Sequence, residues 1–241
     1  VEVWGDTGTG KTTVAQHALY ELPLASDALW ICAGTEVPRR RIQAALALPG
    51  SAEEVFRITE AAVREGASLV IVDSANGLIR QKELDGDPGY VPHPQREYKE
   101  ELRSLKVACK DTGGTVMFLS KPRDRERSPV RGTGISEKAM QRVCLRRLRE
   151  TQDGDLTVVA QVKGGEEAHI VIHPGTGIDW AEDIFRLAVV HELVTIRGSW
   201  YRINGELVQG KKQGCEYLRE NPEIAIELDE RIRRLTHIGE A

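Results

Sequence analysis

Apolar residues along the chain fall into short β-type runs that alternate with stretches of helical spacing. Val1 to Trp4 is the first run, and Val14, Ala15, Ala18, Leu19 and Leu22 then predict a helix over Thr12 to Glu21, closed by Pro23. Ala28 to Ala33 is almost wholly apolar and reads as a buried parallel strand ending at Gly34-Thr35-Glu36. The pattern next predicts a helix over Arg40 to Leu48, a short strand over Val55 to Ile58, and a helix over Thr59 to Glu65 capped by Gly66. Leu69 to Val72 are four aliphatics followed by Asp73, a strand buried on both faces with an acid at its rim. Gln95 to Lys110 predicts a helix, and Thr115 to Leu119 a strand that ends at Ser120 and Lys121. Met140 to Arg149, Leu156 to Val162 and Ala168 to Ile172 read as antiparallel edge strands extending a parallel sheet. Strands alternating with helices in this way indicate an α/β fold.

The pattern changes character after Gly175-Thr176-Gly177. Ala181 to Glu192 predicts a helix, Ser199 to Val208 a hairpin turning at Asn204-Gly205, and two short helical stretches follow Gly210. We therefore expect a core over residues 1–177 and a small α+β domain over 178–241. Two long polar segments interrupt the core. Asn76 to Pro94 is too long for a mere connection, and Lys121 to Gly134 carries five cations against two acids before Gly132, with no aromatic.

Composition narrows the classes. Aromatics are 5% and charged residues 29%, so the core is mostly aliphatic under a heavily charged surface. A net charge of −4 excludes a globally basic nucleic-acid binder and leaves only a local patch to make such contacts. Cys32, Cys109, Cys144 and Cys215 are widely separated and form no metal-type or redox-type pair, which suits buried, inert thiols in a reduced compartment. No apolar run has membrane-spanning length, so a cytoplasmic location is expected. Val1 already sits inside a strand pattern, and upstream sequence is expected to precede it.

The chemistry is carried by Gly5, Asp6, Thr7, Gly8, Thr9, Gly10, Lys11, Thr12 and Thr13. The spacing of glycine, four variable residues, glycine, lysine and threonine, entered from a strand and leaving into a helix, is that of a phosphate-cradling loop. Glycines let successive backbone N–H groups converge on one concavity, and the helix N-terminus adds positive potential. Lys11 places a compact charge between outer phosphates, the Thr12 hydroxyl is a Mg²⁺ ligand, and Asp73 is its partner at the neighbouring strand end.

The order of features resembles the RecA recombinase family. Val70-Ile71-Val72-Asp73-Ser74, Glu83-Leu84-Asp85-Gly86-Asp87-Pro88-Gly89, Phe118-Leu119-Ser120-Lys121-Pro122-Arg123 and Gly175-Thr176-Gly177-Ile178 are similar to family segments, in the family's order. Gly198-Ser199-Trp200-Tyr201, Gly205-Glu206, Gln209-Gly210 and Asn221-Pro222-Glu223 resemble its bacterial and phage C-terminal domain. The resemblance implies a RecA-like ATPase core that uses ATP and Mg²⁺, self-associates with ATP near a subunit interface, and pairs single-stranded DNA with a homologous duplex.

Residue by residue, the resemblance assigns catalysis to Lys11, to Glu36 for the attacking water, and to Lys121 at the position of a glutamine that senses the outermost phosphate. A strict register puts Gly34 where the family has its glutamate; Glu36 is two residues on. Lys163 matches, one residue off register, an interface lysine that reaches a neighbour's phosphates, and Pro174 stands where the family stacks a tyrosine on the base. DNA contacts are expected from Arg123, Arg125, Arg127, Arg131 and Lys138, with Lys82 and Tyr90 contributing from the first loop. The segment with which the family polymerises would lie upstream of Val1. Two functions stay open: a DNA-dependent ATPase and recombinase, or a nucleotide-binding scaffold of the same fold without strand exchange.

Overall fold

A computed structural model describes residues 1–23, 26–36, 44–91, 98–122, 134–152, 154–163, 165 and 167–236. The chain forms two compact units, Val1–Ile172 and His173–Ala241.

The first unit is built on one large sheet. Its strands are β1 (Glu2–Gly5), β2 (Ala28–Cys32), β3 (Ala45–Ala47), β4 (Leu69–Asp73), β5 (Thr115–Ser120), β6 (Arg142–Glu150), β7 (Leu156–Val162) and β8 (Glu167–His173, whose last residue begins the second unit). Their order across the sheet is β3-β2-β4-β5-β1-β6-β7-β8. Pairing is parallel from β3 through to β6 and antiparallel between β6, β7 and β8. All five residues of β4 are buried, as expected of an aliphatic run covered on both faces.

Helix α1 (Lys11–Tyr20) packs on β1, β4 and β5, while α2 (Ala52–Arg64) and α4 (Lys99–Thr112) pack on each other. Two one-turn helices, α3 (Gln81–Leu84) and α5 (Ile135–Lys138), complete the unit. The main core gathers Val70, Val72, Phe118, Phe56, Tyr98 and Leu102, with the Phe56 and Tyr98 rings 5.2 Å apart. Glu2 is wholly buried at the start of β1. It accepts hydrogen bonds from Arg142 Nε and Ser136 Oγ, both at 2.9 Å, which ties β1 to β6 through charge as well as through the ladder.

Three expectations are corrected. Val55 to Ile58 is not a strand but part of α2, because Ala52, Val55, Phe56, Thr59 and Val63 are all buried at helical spacing. Ser51 caps that helix by accepting from the Glu54 N–H. In the expected helix over Arg40 to Leu48, Ala45–Ala47 instead forms the edge strand β3 beside β2, where free ladder positions outweigh the helix preference of Ala and Leu; residues 37–43 lie outside the described residues. Finally, β6 is not an antiparallel edge strand on its inner side. It pairs in parallel with β1, so that β1 lies inside the sheet between β5 and β6.

The second unit contains β9 (Gly177–Ile178), α6 (Trp180–Val190), a three-stranded antiparallel sheet of β10 (Thr195–Arg197), β11 (Trp200–Ile203) and β12 (Glu206–Gln209), then α7 (Gly210–Glu220) and α8 (Pro222–Thr236). Asp179 caps α6 by accepting from the N–H groups of Ala181 and Glu182. The β11–β12 turn is Asn204-Gly205, with φ of 47° and 91°, the two positive values that a two-residue hairpin requires. Phe185, Ile203, Cys215, Leu218 and Leu228 form its core. Among the described residues no helix is long and apolar enough to cross a membrane.

Candidate nucleotide site

The loop between β1 and α1 occupies the C-terminal end of a central parallel strand, where ligands of open α/β sheets bind. Gly10 precedes α1 with φ 81°, and no side chain caps the helix. A side chain at Gly10 would need a left-handed backbone and would also place its Cβ 2.2 Å from Ile172 Cδ1. The first-turn N–H groups of Lys11, Thr12 and Thr13 therefore have no side-chain cap and suit an anion. Thr9 is buried and donates to the Asp6 carbonyl at 2.9 Å, which fixes the loop from within, while Asp6, Thr7 and Gly8 are exposed.

Lys11 Nζ donates to the carbonyls of Gly5 at 2.8 Å and Asp6 at 2.7 Å, so the ammonium folds back over the loop. Burial pulls its pKa below the usual lysine value, opposed by Asp73 and Asp6 and reinforced by the charge of Lys121. Thr12 Oγ1 lies 3.2 Å from Asp73 Oδ2. Burial pushes the Asp73 carboxyl above the usual carboxylate range, and the Thr12 hydrogen bond and Lys11 charge only partly offset it. A hydroxyl and a carboxylate brought together beside an anion nest are hard oxygen donors that fit Mg²⁺.

The β4 end is braced on both sides. The Asp73 carbonyl accepts from the Ala33 N–H at 2.7 Å and from Thr35 Oγ1 at 2.5 Å. A turn over residues 74–77 follows, and Gly77 presses so closely on the end of β2 that an added Cβ would lie 1.9 Å from the Ala33 carbonyl oxygen. Gly34 stands in this backbone contact, and Glu36 beyond it is exposed. On the other side Asn76 bonds to the backbone of Lys121. Lys121 is exposed, and the Asn76 contact joins the end of β5 to the turn that follows Asp73.

The structure thus brings together Gly5 to Thr13, Asp73 and Lys121. Lys163 is not among them. It follows β7 with its N–H bonded to the Arg142 carbonyl at 2.9 Å, at the end of the sheet where β1 begins, whereas the loop leaves the end where β1 stops. With Trp4, Arg142, Cys144, Gln161 and Val162 it lines a cavity of about 320 Å³. Pro174 is exposed at the start of the second unit. Lys82 on α3 and Lys138 at the end of α5 are exposed and Tyr90 is half-buried, while Arg123, Arg125, Arg127 and Arg131 lie outside the described residues.

Arg147 and Asn76 were missed in the sequence. Arg147 on β6 donates to the Gly8 carbonyl at 3.2 Å and pairs with Glu150 at 2.8 Å, so a second cation braces the β1–α1 loop. No motif spacing marks it, because the contact spans 139 residues.

The C-terminal residues 182–237 match the family model described as the RecA C-terminal domain. The whole chain is similar to three proteins named Protein RecA or RecA 2. It is 30% identical to that of Staphylococcus aureus (strain JH9), over 100% of this chain and 78% of the relative. For RecA 2 of Myxococcus xanthus the identity is 29%, over 100% and 76% of the two chains. For Salinispora arenicola (strain CNS-205) it is 27%, over 99% and 77%.

Proposed function

The chain belongs to the RecA family, and on that premise we propose that it is an ATP-dependent recombinase that binds single-stranded DNA and pairs it with a homologous duplex. The observation that carries the nucleotide half of this reading is the meeting of Thr12 Oγ1 and Asp73 Oδ2 at an uncapped helix N-terminus that begins with Lys11. In this reading the loop N–H groups and Lys11 bind the β- and γ-phosphates and stabilise charge on the transferring phosphoryl group. Thr12 and Asp73 would hold Mg²⁺, which when bound neutralises charge on the phosphate oxygens. Glu36 orients the attacking water, and Lys121 contacts the outermost phosphate with a charge-assisted bond.

DNA binding is assigned to Lys82, Tyr90 and Lys138 together with Arg123, Arg125, Arg127 and Arg131. Self-association into a filament supplies Lys163 to a neighbour's nucleotide. The deciding experiment is ATP turnover with and without single-stranded DNA, measured on the full-length protein. Stimulation by DNA supports the recombinase.

A second reading has its own observation. Gly34 holds the family's glutamate position and is locked against Gly77, while Glu36 is exposed. A scaffold that binds ATP but hydrolyses it weakly fits that geometry, and it would show nucleotide binding with no stimulation by DNA.

A further inference from the structure

Lys121 is the first residue after β5, and its backbone is held at both polar atoms by one side chain. The Lys121 N–H donates to Asn76 Oδ1 at 2.7 Å, and Asn76 Nδ2 donates to the Lys121 carbonyl at 3.0 Å. An amide side chain offers an acceptor and a donor on two adjacent atoms, which an ionised Asp, a Ser or an Ala does not, so this contact favours Asn over those three. Asn76 is itself fixed by its turn. The Gly77 N–H donates to the Ser74 carbonyl at 3.0 Å, the Ser74 N–H to the Ala33 carbonyl at 3.3 Å, and Gly77 abuts Ala33 and Gly34. The turn after the Mg²⁺-type carboxylate Asp73 therefore grips β2 with its backbone and β5 with the Asn76 side chain.

We propose that Asn76 is a positioning residue whose bidentate grip on the Lys121 backbone sets the reach of the Lys121 ammonium toward the outermost phosphate, and so sets the preference for nucleoside triphosphate over diphosphate. Four carbons separate the Lys121 charge from its Cα, and a lysine at the open end of a strand gains specificity only when its backbone is anchored. The inference rests on the nucleotide-binding reading above and adds a residue to it.

The test is a double-mutant cycle on the full-length protein with Mg²⁺, reading the affinities of fluorescent ATP and ADP analogues. Asn76→Ala removes both bonds. Asn76→Asp keeps the acceptor for the Lys121 N–H but sets a carboxylate oxygen against the Lys121 carbonyl, and serves where the alanine variant folds poorly. Each is expected to lower the ATP-over-ADP preference by about fivefold, the scale of one net hydrogen bond. In a Lys121→Ala background the same changes are expected to do nothing further, which a merely structural role for Asn76 would not reproduce. An unchanged preference in both single variants, or additive losses in the double variants, overturns the proposal and leaves nucleotide binding standing. Equal affinity of the unmutated protein for the two analogues does the same, and binding of neither overturns the nucleotide-binding reading along with the proposal.

Discussion

Thr12 and Asp73 stand 61 residues apart in the chain, yet the hydroxyl of one and the carboxylate of the other meet at 3.2 Å. The contact exists because α1 begins beside the end of β4, two strands from the loop's own strand. Asp73 is raised by burial, so ionising it costs the folded state free energy that is absent at low pH and grows as pH rises through its folded pKa. Asp73→Asn should therefore raise the thermal midpoint of the nucleotide-free protein at neutral pH, while lowering Mg²⁺-dependent ATP affinity by about tenfold or more. Melting curves with and without Mg²⁺ and ATP check both signs. For the same reason, Mg²⁺-dependent affinity should fall as pH is lowered toward the carboxylate range, and fall earlier than for an exposed aspartate.

Gly77→Ala tests the brace behind the site. Its Cβ would lie 1.9 Å from a backbone oxygen that cannot rotate away. We expect a loss of about 1 to 3 kcal/mol in denaturant unfolding. A neutral result would mean that β2 and the 74–77 turn are not in contact.

Glu2→Gln should destabilise the first unit by about 3 kcal/mol, since it leaves the Arg142 guanidinium without its buried counter-charge. Removing Arg142 as well, in the pair Glu2→Gln and Arg142→Met, should recover part of that loss. Urea midpoints of the three proteins decide it.

Single-strand affinity should fall steeply with salt, with a log–log slope of about −0.7 for each phosphate neutralised. On the proposed reading the 121–134 segment, which has no aromatic, contributes phosphate contacts and no stacking energy. Anisotropy of a labelled oligonucleotide across a salt series reads the slope, and a flat profile contradicts the assignment of the basic residues to DNA.

Cys215 should resist alkylation in the folded protein at pH 8. Burial, with Glu182 and Asp179 nearby, pushes its thiol up to about 11, which leaves very little thiolate. Rapid labelling before unfolding would contradict this.

The glycine-rich turn between β1 and α1, the β4 strand with its terminal acid, and the Asn204-Gly205 hairpin were legible because each is decided within a few neighbouring residues. Glycine at positive φ, a run of aliphatics and a turn dipeptide carry their physics locally. Val55 to Ile58 was misread because four residues of an apolar run cannot separate a strand from a helix; the burial of Ala52, Thr59 and Val63 on either side does. Ala45–Ala47 went the other way, since an edge strand is specified by the free ladder of β2 and not by its own Ala and Leu. Glu2 read as part of an apolar run, and its partner Arg142 is 140 residues distant. Arg147 and Asn76 share that cause: each acts on a backbone group far along the chain, and backbone groups leave no trace in a sequence pattern.

The change of strand direction at β6 has a kinetic consequence. Because β7 runs back against β6, Lys163 lies at the end of the sheet where β1 begins, opposite the end from which the β1–α1 loop departs. On the reading proposed above, its charge serves a neighbour's nucleotide and not the one held by its own chain. If that proposal holds, ATP turnover should climb faster than linearly as the protein is concentrated and collapse on dilution. Lys163→Ala would flatten that curve without altering what an isolated copy can do.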